Sequence, residues 1–264
     1  MHAQSNANDH QYITRDFGYF LKSLGINDAI IALEDDFDLS EEEILKIDIF
    51  FSSYLAGVPF DYIVKESLFF GYKFYIDSRV LIPRPETELI VEWVLDLSLS
   101  KDSAIIEVGT GSGCIAISIA LQKTNINIIA TDLSDPALEV ANLNRKFHDV
   151  KNVLLVQSNW MSFVQEDSLD LIISNPPYLK SNDPHLSDLK HEPLIALTSE
   201  NGSQSFYEIA SQAIFSLKSG GRIIFEHGYS QAKEVSNILK DFGFKEIVSA
   251  QDLQGLDRYT YAKK

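Results

Sequence analysis

From residue 103 onward the chain alternates short apolar runs with helical patterns, and this alternation restricts the fold more than any other feature of its 264 residues. Residues 104–108, 126–131, 153–156, 169–174 and 222–225 read as buried strands. Residues 112–121, 136–147, 203–217 and 229–242 read as helices. Strand alternating with helix predicts a parallel sheet with right-handed crossovers and helices on both faces. Residues 244–249 and 258–262 lack a helix-length segment between them, so an antiparallel pair is expected at the end of the sheet.

Open α/β sheets bind ligands beyond the carboxyl ends of their strands. The first predicted strand closes on Glu107 and Val108 and runs into Gly109, Thr110, Gly111, Ser112 and Gly113, where missing Cβ atoms let backbone approach a ligand. Cys114 stands where a dinucleotide fingerprint wants its third glycine, and no Gly-Lys-Ser/Thr follows, so neither phosphate motif is satisfied. Asp132 ends the second strand about 20 residues further on, where a carboxylate can accept from both hydroxyls of a ribose. A nucleoside cofactor without a pyrophosphate is implied, and S-adenosyl-L-methionine fits best.

Asn175, Pro176, Pro177 and Tyr178 follow the predicted strand at 169–174. Two prolines remove two N–H donors and keep their carbonyls, so the loop presents mainly acceptors. Such a site suits a planar NH2 group, with one bond to the Asn175 side chain and one to the Pro176 carbonyl. Both acceptors bind more strongly as the nitrogen gains positive charge on receiving a methyl group. Adenine, cytosine and the amides of glutamine and asparagine all offer such a group, and the tetrapeptide alone does not separate them.

The first part of the chain reads differently. Ser40 and Glu43 have the spacing of a capping box, with Ile44, Ile47, Phe50 or Phe51, and Tyr54 at helical intervals before Gly57 and Pro59. With an amphipathic stretch at 12–24 this predicts a small helical module, and the polar residues 1–8 are expected to be a frayed tail without signal-peptide character. A β-hairpin is expected between Leu68 and Ile82. Pro85 then opens a helix whose apolar face is Leu89, Ile90, Trp93, Val94 and Leu97. The expected domains are an N-terminal helical one (1–66), a hairpin linker (67–84) and a catalytic one (85–264).

The chain has a formal charge of -16, with -11 in residues 1–100. Such acidity disfavours nucleic-acid binding and makes the N-terminal module a candidate complement to basic protein surface. The single cysteine, Cys114, allows no internal disulfide and suits a reducing cytoplasm. Without an apolar run of membrane-spanning length, no membrane association is expected. His185, His191 and His227 lack ligand spacing, so no metal is expected. Glu226 and His227 close a strand beside the expected cleft, where structural hydrogen bonding is the favoured reading.

Beyond these separate signals, the sequence resembles the HemK/PrmC family, bacterial protein-(glutamine-N5) methyltransferases that modify peptide chain release factors. Carrying the resemblance are Gly57 to Ile63 (GVPFDYI), Phe70-Gly71, Leu81 to Glu88 (LIPRPETE), the glycine loop, Ser174 to Tyr178, Asp183 to Leu197, and Glu226-His227-Gly228. Asn159 before Trp160, Tyr259, and Ser52-Ser53-Tyr54 depart from its usual pattern.

The resemblance implies a class I S-adenosylmethionine-dependent methyltransferase fold, with a seven-stranded, mostly parallel sheet whose last strand is antiparallel. It implies class 1 release factors as protein substrate, gripped in part by the N-terminal domain, and the glutamine of their Gly-Gly-Gln tripeptide as acceptor. By position, Glu107, Gly109 to Gly113, Asp132, Trp160 and Asn175 hold the cofactor, with Trp160 against the adenine. Asn175, Pro176, Pro177 and Tyr178 receive the amide, Asn175, Pro176 and Tyr178 being the catalytic set. A cytoplasmic monomer is expected. The competing readings are an adenine-N6 methyltransferase and a non-catalytic release-factor binder.

Overall fold

The structure, a computed structural model, describes residues 2–26 and 39–264, with side chains from Tyr12 onward. It divides into two compact units, Met1–Lys65 and Glu66–Lys264. Residues 27–38 of the expected helical module lie outside the described residues.

In the first unit, helix α1 (His2–Ser23) begins ten residues before the amphipathic stretch, so the expected frayed tail is helical from His2. Once nucleated, a helix gains one backbone hydrogen bond for each further residue it orders, which lets it run on into polar sequence. Helix α2 (Glu41–Leu55) starts on the expected capping box, with the Ser40 side chain accepting from the Glu43 amide and the Glu43 carboxylate accepting from the Ser40 amide. A short helix α3 (Phe60–Val64) follows. The core between α1 and α2 is aromatic: Phe20 and Phe50 stack at 4.6 Å, and Phe17 and Tyr54 each lie 5.5 Å from Phe50. Ile44, expected on the buried stripe, is instead exposed. The apolar residues of α2 spread around much of its circumference, and the rings of α1 select the face that carries Phe50.

The second unit opens with the hairpin, β1 (Glu66–Phe69) and β2 (Tyr72–Tyr75). Phe70 and Gly71 turn it with φ of 52° and 76°, the two left-handed residues that a tight hairpin of matching twist requires. Phenylalanine is costly there, and the Glu88 carboxylate accepts from the Phe70 amide at 2.8 Å. A 3-10 turn at Pro85–Thr87 leads into α4 (Glu88–Asp96), which buries Ile90, Val91 and Val94.

Next come β3 (Ala104–Val108), α5 (Cys114–Gln122), β4 (Asn127–Asp132), α6 (Asp135–Phe147), β5 (Val153–Gln157) and β6 (Leu169–Ser174). After a short α7 (Leu194–Leu197), the unit ends with α8 (Gln204–Ser216), β7 (Leu217–Glu226), α9 (Ala232–Asp241), β8 (Lys245–Gln251) and β9 (Asp257–Lys263). The sheet order is β5-β4-β3-β6-β7-β9-β8. Pairs from β5 to β7 are parallel, and β9 lies antiparallel between β7 and β8. This is the expected seven-stranded mixed sheet. Its direction of winding reverses between β3 and β6, whose carboxyl ends carry the glycine loop and the Asn-Pro-Pro-Tyr loop.

Asn144 of α6, fully buried, ties the hairpin to this layer. Its Nδ2 donates to the carbonyls of Tyr75 at 2.9 Å and Ser112 at 2.8 Å, and its Oδ1 accepts from the Tyr75 amide at 2.7 Å. Truncation would strand one buried and two half-buried backbone groups, so Asn144→Ala should cost about 2 kcal/mol or more. Denaturant unfolding followed by circular dichroism measures this, and a loss no larger than that of an exposed Asn→Ala would contradict it.

Candidate active site

Segments that follow the carboxyl ends of β3, β4, β5 and β6 line a cavity of about 240 Å³. Gly109, Gly111 and Gly113 adopt φ of 75°, 55° and 81°, the left-handed region. At Gly113 the need is also steric, since a Cβ would meet Ile117 Cδ1 at 2.9 Å. The loop is held from below: the Gly109 and Thr110 amides donate to the Thr131 carbonyl at 2.9 and 2.8 Å. The Gly111 amide donates to Asp132 Oδ2 at 2.9 Å, and the Ser134 amide to Oδ1 at 2.9 Å. Asp132 lines the cavity, and its carboxylate has acceptor capacity beyond these bonds. Burial raises the pKa of this carboxyl, against the pull of those amides.

Trp160 faces the glycine loop, where a Cβ on Gly109 would stand 3.8 Å from its ring. It too is left-handed, with φ of 53°, and is fixed at both ends. Its carbonyl accepts from the Thr131 hydroxyl at 2.9 Å, and its indole N–H donates to Glu208 at 2.8 Å. Asn159 lines the cavity beside it.

Asn175 leaves β6 next to the end of β7, because Ser174 pairs with Phe225. Its Nδ2 donates to the Thr87 hydroxyl oxygen at 3.1 Å, so its Oδ1 is the end available to accept. Thr87 lies in the LIPRPETE stretch, and the neighbours of Thr87 make further ties. Arg84 pairs with Glu192, which also accepts from the Ile82 amide at 3.1 Å, and Glu88 holds the hairpin turn. The Tyr178 carbonyl accepts from Gln231 Nε2 at 3.2 Å, and that amide also bonds the Gly202 carbonyl and the Gly228 N–H.

Of the residues singled out in the sequence, Glu107, Gly109, Thr110, Gly111, Ser112, Asp132, Trp160, Asn175 and Pro177 line the cavity. Gly113 caps α5, Pro176 is buried, and Tyr178 packs against the core formed with Ile172, Phe206 and Phe225. Thr87 and Arg84 fall within LIPRPETE, but their ties to Asn175 and Glu192, like those of Gln231 to Tyr178 and of Glu208 to Trp160, join residues distant in sequence and leave no local signal. The Cys114 thiol is pushed up to about 12 by burial, which makes it inert. His227 is buried, its Nε2 2.8 Å from the Thr260 hydroxyl and its Nδ1 3.0 Å from the Gly228 carbonyl.

A model of the methyltransferase small domain matches residues 86–196. The release factor glutamine methyltransferase of Coxiella burnetii is 38% identical over 213 residues, covering 80% of this chain and 76% of that protein. This chain belongs to the release factor glutamine methyltransferase family. The Neisseria gonorrhoeae member of the family is 39% identical, covering 79% of this chain and 78% of its own. Among solved structures, a methyltransferase from Pyrococcus furiosus superposes with a TM-score of 0.56 at 17% identity, covering 85% of this chain and 99% of that one, a likeness of fold. The family and fold class expected from the sequence are those found.

For this release factor glutamine methyltransferase family member, Glu107 gives a direct electrostatic test. It is buried on β3, where its Oε2 accepts from the Thr110 hydroxyl at 2.7 Å and the Ala116 amide at 3.1 Å. Burial outweighs these bonds and pushes its carboxyl up from 4.5 to about 8. Within that window the folded protein holds a proton that the unfolded chain has released, so stability falls as pH rises. Glu107→Gln lacks this penalty. Its melting temperature relative to the parent, measured without ligand, should climb between pH 4.5 and 8; parallel curves would contradict the assignment.

Proposed function

We propose that this chain transfers a methyl group from S-adenosyl-L-methionine to the side-chain amide nitrogen (N5) of the glutamine in the Gly-Gly-Gln tripeptide of class 1 release factors. The observation that carries the reading is the locked Asn175 amide. Its Nδ2 is committed to Thr87 at 3.1 Å while the residue lines the same cavity as the glycine loop.

The cofactor fits the residues present. Asp132 offers lone pairs to two ribose hydroxyls, the glycine loop gives close backbone approach, and the fixed Trp160 ring gives the adenine a face. When bound, S-adenosylmethionine supplies an electrophilic methyl: the nitrogen lone pair forms the N–C bond as the C–S bond breaks onto sulfur, and a proton leaves the nitrogen to water.

The protein's part is placement and electrostatics. Asn175 Oδ1 and the Pro176 carbonyl accept the two amide hydrogens and hold the nitrogen with its lone-pair face toward the donor. Both acceptors strengthen as the nitrogen becomes positive. The protein works as a cytoplasmic monomer without nucleic acid, and the acidic first unit helps grip the release factor. Among the described residues no helix is long and apolar enough to cross a membrane.

Incubation with release factor and labelled donor, followed by mass mapping, should place one methyl on that glutamine. A methyl elsewhere would overturn the substrate reading. Asn175→Ala should lower turnover by roughly 10² or more while donor affinity changes by less than about threefold; an equal loss in both would remove Asn175 from its role.

A further inference from the structure

Behind Asn175 lies a buried carboxyl that the reaction as described leaves unused. Glu226 ends β7 with 2% of its surface exposed, and its Oε2 is sealed from solvent without a hydrogen-bond partner among the described residues. An orphaned carboxylate oxygen is costly in a protein interior, and such costs persist where a site uses them.

The groups facing this carboxyl come from every element packed around it. The Thr87 hydroxyl and the Asn175 side chain are its polar neighbours and favour its charged form. Arg258 of β9 also favours the charge, and Glu86 of the 3-10 turn opposes it. Arg258 is committed elsewhere, its guanidinium lying 3.2 Å from Asp252. The Tyr178 hydroxyl and the Cys114 thiol feel Glu226 as a negative neighbour, and burial holds both protonated. No cation therefore neutralises Glu226 by direct contact among the described residues.

Thr87 has one hydroxyl proton. Its oxygen already accepts from Asn175 Nδ2 at 3.1 Å, which leaves that proton to donate, and the carboxyl facing it is Glu226. We propose that Glu226 is a positioning residue that acts on Asn175 through Thr87, its negative charge orienting and polarising the relay so that Asn175 Oδ1 becomes a stronger acceptor for the substrate amide. Each hydrogen bond in such a chain polarises the next, most effectively in a buried setting. Thr87 thereby gives the PETE segment of LIPRPETE a task in amide methylation. The inference rests on the reading of Asn175 as the amide acceptor.

Burial pushes the Glu226 carboxyl up to about 7. Loss of its charge below that pH slows methyl transfer, whereas the glutamine amide itself does not titrate there. The test follows kcat for methylation of intact release factor against pH, with donor affinity measured separately by calorimetry. Parent enzyme, Glu226→Gln, Thr87→Val and Thr87→Ser are compared.

In the parent, kcat should rise through pH of about 7. Glu226→Gln and Thr87→Val should be about tenfold slower at high pH and flat with pH, with donor affinity within about twofold, while Thr87→Ser keeps the rise. The proposal is overturned if the parent profile is flat, if the rise survives in either flat-profile variant, or if only donor affinity changes. Should Glu226→Gln fail to fold, the Thr87→Val and Thr87→Ser pair decides the matter. A parent enzyme that leaves release factor unmodified overturns the underlying site reading, an outcome distinct from methylation that is indifferent to Glu226.

Discussion

The site depends first on the parallel pairing of β3 with β6, in which Glu107 lies opposite Ile173. That register brings two strand ends from opposite sides of the winding reversal to one edge of the sheet. Strands alone would leave carbonyls and amides unsatisfied there. The chain answers with backbone and side-chain bonds that also shape the cavity: Thr131 supports the glycine loop, Asp132 accepts from Gly111, and Thr87 accepts from Asn175. The same residues that satisfy the strand ends line the cavity, so its walls are held by hydrogen bonds of the fold itself.

A second theme is the concentration of polar ties in one short segment. Between Ile82 and Glu88 the chain holds the loop carrying Glu192, the Asn175 amide and the hairpin turn. The segment has little regular structure beyond the Pro85–Thr87 turn, and its worth lies in what each side chain reaches. This accounts for its specificity as a motif: the residue types are set by separate partners in different parts of the fold.

Much of the sheet was legible in the sequence because strands buried on both faces are mostly apolar, as in 104–108 and 169–174, where Glu107 and Asp170 are the charged exceptions. β7 was harder. Its first half contains Ser219, Gly220 and Gly221, which look like a turn, so 222–225 is a fragment of Leu217–Glu226. The antiparallel pair at the end was readable, but the insertion of β9 between β7 and β8 was not, since order within a sheet leaves no local periodicity. Gly109, Gly111 and Asp132, singled out by spacing, do line the cavity. Asn144, Thr87, Gln231 and Glu226 did not announce their partners, which are distant in sequence and polar.

The placement of β9 also governs the order of assembly. β8 has β9 as its sheet neighbour, and β9 comes after it in the chain. During synthesis β8 must therefore wait without a ladder, while β7 presents a bare edge on one side. The hairpin joining β8 to β9 must form and dock as a unit, one strand closing both gaps at once. Completion of the sheet thus waits for β9, and until then the growing polypeptide carries an open strand edge suited to mispairing with another copy.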